Sequence, residues 1–207
     1  MFLMRRPCAV SGSIGDVKSL LAVAAVLLVA SSAYAEERTT TASVGLVFGA
    51  HTPDEPLPGG NGEYAQGEGF GGPRLTLAWE KPALPYPERP GYAVDVGLVP
   101  ELIAGAFFDD EKAEGMVGVG IRGELRMSQK QQGLLRVSMR GVFYVGARAL
   151  VVGEQRDVHA ELVFGEYILF GRTGRIGFEI GGQRRSGDTM EQPQAGVVGQ
   201  LYLGWRM

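Results

Sequence analysis

The sequence predicts an all-β protein, an eight-stranded antiparallel up-and-down transmembrane β-barrel. Eight segments alternate apolar residues with small or polar ones, and several are close to the length of about ten residues that a tilted strand needs to cross a bilayer. The strand number is even, so a closed barrel leaves no edge strand in lipid. The predicted connections also alternate, with long ones at 52–72, 108–115 and 186–194 and shorter ones at 128–133 and 172–175.

Each predicted strand has one apolar face. In the first four strands this face consists of Val44, Leu46, Phe48 and Ala50; Leu75, Leu77 and Trp79; Val94, Val96 and Leu98; and Val117, Val119, Ile121, Leu125 and Met127. In the last four it consists of Leu135, Val137, Met139, Phe143, Val145 and Ala147; Val158, Ala160, Leu162 and Phe164; Ile176, Phe178 and Ile180; and Val197, Leu201, Leu203, Trp205 and Met207. A soluble two-layer β-sandwich with its apolar face inward alternates in the same way, so alternation alone leaves that fold open.

The N-terminal segment has the pattern of a secretory signal peptide. Arg5, Arg6 and Lys18 form a positively charged region, residues 20–30 are an apolar run, and Ala-Tyr-Ala at 33–35 offers small residues for cleavage. We therefore predict a cleaved signal peptide at 1–35, a short lead-in at 36–41 and a barrel at 42–207. Export places the mature chain in an oxidising compartment.

Charge and cysteine content exclude several classes of function. The full chain has 20 basic and 23 acidic residues, and without Arg5, Arg6, Lys18 and Asp16 it has 17 and 22, a net charge of −5. This is not the basic surface of a nucleic-acid-binding protein, so no nucleic-acid partner is expected. The one cysteine, Cys8, lies in the predicted signal peptide, so disulfides and cysteine-based zinc sites are not expected. No metal or cofactor is predicted.

The exported, cysteine-free, glycine-rich chain with eight alternating segments resembles the small bacterial outer-membrane β-barrels. Its last residues are similar to the C-terminal strand signal that the barrel-assembly machinery reads in that class. Gln200, Trp205 and Met207 match this signal, whereas Tyr202 stands where glycine is usual and Met207 replaces the commoner phenylalanine. The resemblance implies an outer-membrane location in a Gram-negative type of envelope, with outer-membrane lipid and the assembly machinery as partners.

Closure of the barrel assigns the apolar face to lipid and the polar face to the interior. Aromatic residues predicted for the membrane interfaces are Trp79, Tyr92, Phe164 and Trp205. Glu166 falls on the apolar face, which requires either a bulge near Gly165 or a position near the periplasmic rim.

The polar face predicts a network of ion pairs in the lumen, because unpaired charges inside a narrow barrel are costly. The predicted network consists of Asp95, Glu101, Arg122, Glu124, Arg126, Arg136, Arg140, Arg148, Glu161 and Glu179, with Arg74 and Glu80 on the same face. Arg140 is expected to pair with Glu124, Asp95 or Glu179, and Arg148 with Glu101 or Glu161. An eight-stranded barrel has little room beyond its own side chains, so we expect a plugged lumen, with a narrow polar pore as the alternative.

Catalysis has little support in the sequence. Some small outer-membrane barrels are lipid A deacylases that use Ser, His and Glu, and His159 precedes Glu161 by two residues on a strand predicted beside Ser138. The histidine-x-serine arrangement of those enzymes is not found, and both side chains are expected to face the lumen rather than lipid. The sequence therefore predicts a structural, surface-interaction or envelope-integrity role without enzymatic activity, and a lipid A-modifying hydrolase is the less favoured alternative.

The acidic connections are the expected contact points for other molecules. Loop 52–72 is rich in Gly, Pro and acidic residues, and a partner of unknown identity is expected to bind there, since loops on rigid scaffolds carry function. The run Asp109, Asp110 and Glu111 is interpreted as a solvated loop tip, with divalent cation binding as the alternative.

Overall fold

The structure is a computed structural model that describes residues 38–53, 68–108, 113–130, 138–153, 157–186 and 194–207. These residues form eight β-strands: β1 (Thr39–Pro53), β2 (Glu68–Glu80), β3 (Gly91–Phe108), β4 (Ala113–Lys130), β5 (Ser138–Val152), β6 (Asp157–Phe170), β7 (Gly174–Ser186) and β8 (Gln194–Arg206). No helix in the described part of the chain is long and apolar enough to cross a membrane.

Each strand pairs antiparallel with the next one, and β8 pairs with β1 to close the barrel. Val44 of β1 lies opposite Leu75 of β2 on one side and Leu203 of β8 on the other. The pairing of β2 with β3 runs from Gly71–Phe108 to Ala78–Glu101, so residues 91–100 of β3 pair with β4 alone. Elsewhere the closed barrel lets the backbone groups of the wall be satisfied between strands. The predicted fold class, a closed eight-stranded antiparallel up-and-down barrel, is confirmed.

The two ends of the barrel differ in their connections. At the terminal end, β1 begins and β8 ends, and residues 81–90, 131–137 and 171–173 link neighbouring strands. At the opposite loop end, the strands are linked by 54–67, 109–112, 153–156 and 187–193. The acidic run at 109–111 and most of loop 52–72 lie outside the described residues.

The strands are longer at the loop end than the sequence predicts. β1 extends to Pro53 and β2 starts at Glu68, so the glycine-rich segment predicted as loop pairs with β1. Phe108 and Ala113 also pair, which shortens the predicted long connection 108–115 to residues 109–112. The reason is that strand pairing uses the backbone, which glycine supplies as well as any residue, so a segment poor in apolar side chains still extends the ladder.

The outer surface of the barrel is apolar. Where the structure describes them, the alternating residues predicted for lipid contact point outward, and Leu46, Val96 and Leu201 are among the most exposed. Leu135 and Val137 of the predicted set lie outside the described residues. Within the described strands, Glu166 and Arg184 alone place a charge on this outward face, and they lie near opposite ends of the wall. An apolar exterior around a charged interior is the reverse of a soluble β-sandwich and is typical of membrane-spanning barrels.

The register around Glu166 contains no bulge. Phe143, Glu166 and Phe178 lie in one row across β5, β6 and β7, and the pairing continues without a break on both sides. Glu166 therefore points outward, four residues before β6 ends at Phe170. Of the two predicted explanations, the bulge is wrong, and the position toward the terminal end agrees with the other.

Three of the four predicted interface aromatics lie at the terminal end. Trp79, Tyr92 and Trp205 are within two residues of a strand end, and Tyr92 is 73% exposed. Phe164 lies halfway along β6 instead. Three of the predicted aromatic residues therefore lie at the terminal end of the wall, on β2, β3 and β8, as expected at a membrane–water interface.

Glycines in the wall make room for aromatic rings on the neighbouring strand. Tyr144 lies directly opposite Gly165, and Tyr202 directly opposite Gly177. A Cβ atom on either glycine would overlap the facing tyrosine ring. These glycines allow the rings to lie flat across the adjacent strand, where they pack against the backbone and stiffen the sheet.

We expect Gly165→Ala to lower the free energy of unfolding by about 1–3 kcal/mol, because the added methyl group overlaps Tyr144 and the carbonyl oxygen of Phe178. The measurement is urea-induced unfolding in lipid vesicles, followed by tryptophan fluorescence. Gly123→Ala is the matched control, since no atom lies within 4 Å of a Cβ built there. Equal unfolding curves for the two variants would contradict the role assigned to Gly165.

Candidate functional site: the charged lumen

The lumen contains a group of charged side chains that we name the lumen network. It consists of Arg74, Arg122, Arg148, Arg175, Glu80, Glu101, Glu124, Glu161 and Glu179, and none of these residues is more than 7% exposed. Each has the inward position of its strand, because side chains alternate and the apolar neighbours point outward. Four cations and five carboxylates are therefore buried together inside the wall.

The end of the network nearest the terminal end is organised by Glu80 and Arg122. Glu80 accepts hydrogen bonds from both Arg122 and Arg175. Arg122 also donates to Glu101 at 2.6 Å and to Glu124 at 2.7 Å, so one guanidinium joins three carboxylates. Such charge-assisted contacts are the strongest hydrogen bonds available to a side chain.

The network continues through Arg148 to Arg74. Arg148 donates to Glu101 at 2.9 Å and forms a two-point contact with Glu179, in which the longer bond is 2.9 Å. Arg74 in turn donates two hydrogen bonds to Glu161, with lengths of 2.7 and 3.0 Å. Arg148 Nη1 is 3.8 Å from Glu161, and Arg74 is at the same distance from Glu179, so the pairs form one connected chain.

Tyrosines complete the network. The Tyr144 hydroxyl donates to Glu179 at 2.8 Å, and the Tyr167 hydroxyl donates to Glu124 at 3.1 Å. The guanidinium carbon of Arg122 lies 5.1 Å from the centre of the Tyr144 ring, which is within the range of cation–π attraction. The tyrosines thus give the carboxylates further hydrogen-bond donors and give Arg122 an aromatic ring to interact with. Buried charges require such additional partners.

The predicted lumen residues fall into two groups. The structure brings Glu101, Arg122, Glu124, Arg148, Glu161 and Glu179 together in the lumen network, as described above. In particular, Arg148 contacts both of its predicted partners, Glu101 and Glu161.

The other predicted residues lie nearer the terminal end. Arg126 pairs with Asp95, which is directly opposite on β3, and also donates to the carbonyl of Pro82 at 3.1 Å. Arg140 does not pair with Glu124, Asp95 or Glu179, and it instead donates to the carbonyl of Gly171 at 2.9 Å. The reason is that Arg140 lies near the start of β5, four residues before the position on β5 that pairs with Glu124, so the two side chains lie at different heights in the barrel. Arg136 lies outside the described residues.

Arg175 belongs to the lumen network and Tyr167 donates to it, although sequence reasoning did not select either residue. Arg175 has the same strand parity as Gly177 and Glu179, but it was included in the predicted turn 172–175. Tyr167 follows Glu166, which disturbs the apparent alternation. If the alternation of inward and outward side chains is extended by one more position along each strand, it predicts that both residues face inward.

The loop end of the lumen is lined by a second buried cluster, made of His51, Phe70, Phe107 and His159. The His51 ring stacks on Phe70 at 4.5 Å between centroids, and His159 meets Phe107 edge-on at 5.4 Å. In the described residues no three His, Cys, Asp or Glu side chains converge as metal ligands.

The predicted proximity of Ser138 and His159 is wrong. His159 pairs with Leu150, and Ser138 pairs with Lys130 at the opposite end of β5. Twelve residues of strand at about 3.3 Å each separate the two levels, a distance of roughly 40 Å along the strand. The alternation of β5 and β6 allowed both side chains to face inward but did not specify their relative height.

The residues of the predicted assembly signal lie along β8. Gln200 is buried in the lumen beside Arg74, whereas Trp205 and Met207 are exposed on the outside. The backbone N–H of Met207 donates to Thr40 at 3.0 Å, across the seam that closes the barrel.

The closed barrel, the apolar exterior and the charged lumen together give this protein the architecture of the small outer-membrane barrels. The predicted resemblance to that class is confirmed. The chain is similar to outer membrane protein OprG from Pseudomonas aeruginosa, whose crystal structure aligns over 83% of this chain and 97% of that chain, with 9% identity and a TM-score of 0.28. No protein-family model matches the sequence, and no curated protein matches it.

Proposed function

We propose that the protein resides in the outer membrane as a plugged barrel with a structural, surface-interaction or envelope-integrity role and no catalytic activity. The observation that carries the proposal is the lumen network, a connected chain of buried ion pairs that fills the middle of a closed wall. Lipid solvates the apolar exterior, so outer-membrane lipid is the first partner. The assembly machinery, which would read Gln200, Trp205 and Met207, is the second.

The network supports a plug rather than a channel. Arg122 and Arg148 meet at Glu101, and both guanidinium groups are also held by further carboxylates. An ion passing this level would have to separate buried, hydrogen-bonded charge pairs, which is strongly unfavourable. A surface partner would then be bound by the connections at the loop end, in agreement with the expectation for loop 52–72, which is rich in Gly, Pro and acidic residues.

Cell fractionation and gel migration test the proposed location. The expressed protein is expected in the detergent-extracted outer membrane, and its unboiled form is expected to migrate differently from its boiled form, as a folded barrel does. The comparison needs a periplasmic protein as control. A freely soluble protein without a migration shift would exclude the outer-membrane barrel.

Single-channel recording tests the plug. The refolded protein in a planar bilayer is expected to stay silent at neutral pH, whereas a porin in the same bilayer conducts. Steady conductance steps from a protein with full heat-modifiable migration would favour the narrow polar pore instead. The fractionation result does not depend on this outcome, so location and plug are tested separately.

A further inference from the structure

A cleft at the terminal end of the lumen has an excess of positive charge. Its cavity volume is about 30 Å³, and it opens to solvent. Six basic residues line it, and we name them the basic mouth: Lys81, Arg126, Arg140, Arg172, Arg175 and Arg206. They come from five different strands or their adjoining turns, so closure of the barrel is what gathers them.

The carboxylates of the lining do not balance the charge of its five arginines. Among the lining residues, all of which the structure describes, Glu80 is the sole carboxylate, and it already pairs with Arg122 and Arg175. Asp95 pairs with Arg126 from outside the lining and is 37% exposed. Deeper in the lumen the balance is reversed, because the lumen network without Glu80 and Arg175 has four carboxylates and three arginines.

Three guanidinium groups of the basic mouth also have an N–H donor without an acceptor among the described residues. The Nε–H groups of Arg126, Arg140 and Arg175 are buried, and no described residue accepts from them. Arg126 and Arg175 are themselves more than nine-tenths buried. A buried donor without an acceptor is unfavourable, so these three groups can still donate to a ligand. Arg74 and Arg185, which do not line the cleft, have unpartnered Nε–H groups as well, so the positive charge of the cleft is what selects the ligand.

We propose that the basic mouth is a binding site for a phosphate group. Phosphate offers several acceptor oxygens and one or two negative charges, and the planar guanidinium group matches it with two parallel hydrogen bonds. Arg140 stands at the edge of the cleft, where its guanidinium carbon lies 5.0 Å from the centre of the Tyr86 ring. The phosphate can belong to a soluble anion or to a phospholipid headgroup, since the mouth opens at the terminal end of the wall.

The first arm of the test titrates inorganic pyrophosphate into the folded full-length barrel in uncharged maltoside micelles, followed by calorimetry. Saturable binding is expected, and Arg140→Gln should weaken it about tenfold, since a hydrogen bond to a charged group is lost. Lys130→Gln is the matched control, because it removes one charge at the same end outside the cleft, where Lys130 donates to the carbonyl of Glu88. Arg172→Gln, in the exposed turn 171–173, provides a second test if Arg140→Gln does not fold.

The second arm adds phosphatidylglycerol to the same micelles and counts the lipids that remain bound in native mass spectrometry. Retention that is lost in Arg140→Gln and kept in Lys130→Gln, without pyrophosphate binding, would assign the site to a lipid phosphate. Saturable pyrophosphate binding would assign it to a soluble anion. Absence of both, or equal loss in Lys130→Gln and Arg140→Gln, would overturn the proposal.

Discussion

Arg122→Met is expected to lower the free energy of unfolding by about 3–5 kcal/mol, the largest stability effect of any single substitution considered for this barrel. Among the described residues, Arg122 alone donates hydrogen bonds to three carboxylates, Glu80, Glu101 and Glu124. Glu80 and Glu101 keep a second arginine each after the substitution, whereas Glu124 keeps only the Tyr167 hydroxyl. An anion buried with too little compensation is strongly unfavourable.

Urea-induced unfolding of the folded barrel in lipid vesicles measures this effect, with Trp79 and Trp205 as fluorescent reporters. Arg89→Met is the matched control, because Arg89 is exposed in the connection 81–90 and exposed substitutions usually change stability by less than about 0.5 kcal/mol. A loss below about 1 kcal/mol in Arg122→Met would show that the lumen network does not stabilise the fold. The plug would then need another physical basis.

A variant that lacks Trp205, Arg206 and Met207 is expected to fail to insert into the outer membrane while its export continues. The deletion removes Trp205, whose side chain points outward and whose backbone pairs with Ala42 and Gly174. It also removes the bonds from the backbone of Arg206 to Thr173 and from Met207 to Thr40. The end of the seam between β1 and β8 is opened, together with part of the predicted assembly signal.

Fractionation separates the two steps. The deleted protein should lose its signal peptide like the wild type, yet it should be found outside the outer membrane and show no migration shift on boiling. Met207→Phe, which restores the commoner terminal residue, is the control and should insert at least as well as the wild type. Normal insertion of the deleted protein would show that the last three residues are dispensable for assembly.

Much of the barrel wall follows from local pattern. Val44, Leu46 and Phe48 alternate with small or inward residues, and this period of two is enough to predict both the strand and its faces. The same period placed Arg148 and Glu101 inside. The period of two does not mark where a strand ends, so Arg175 falls in the predicted turn 172–175 although it belongs to β7. It is also not visible in glycine-rich stretches, so β2 begins earlier than predicted.

Contacts across the lumen are a different matter. Arg74 contacts Gln200, which is 126 positions away, and Arg175 contacts Glu80, which is 95 positions away. Such pairs depend on the stagger of strands around the closed barrel, which no local pattern records. For the same reason Arg140 did not meet its predicted carboxylates.

By itself, the sequence determined the number of strands, the inward and outward faces and the charged character of the interior, because side-chain alternation is a local property of each strand. Only the tertiary structure decided which charges meet, at what height they lie, and that Lys81, Arg140 and Arg206 gather in one basic mouth. The physical reason is that closure and stagger fix heights between strands, whereas alternation fixes only the face of each residue.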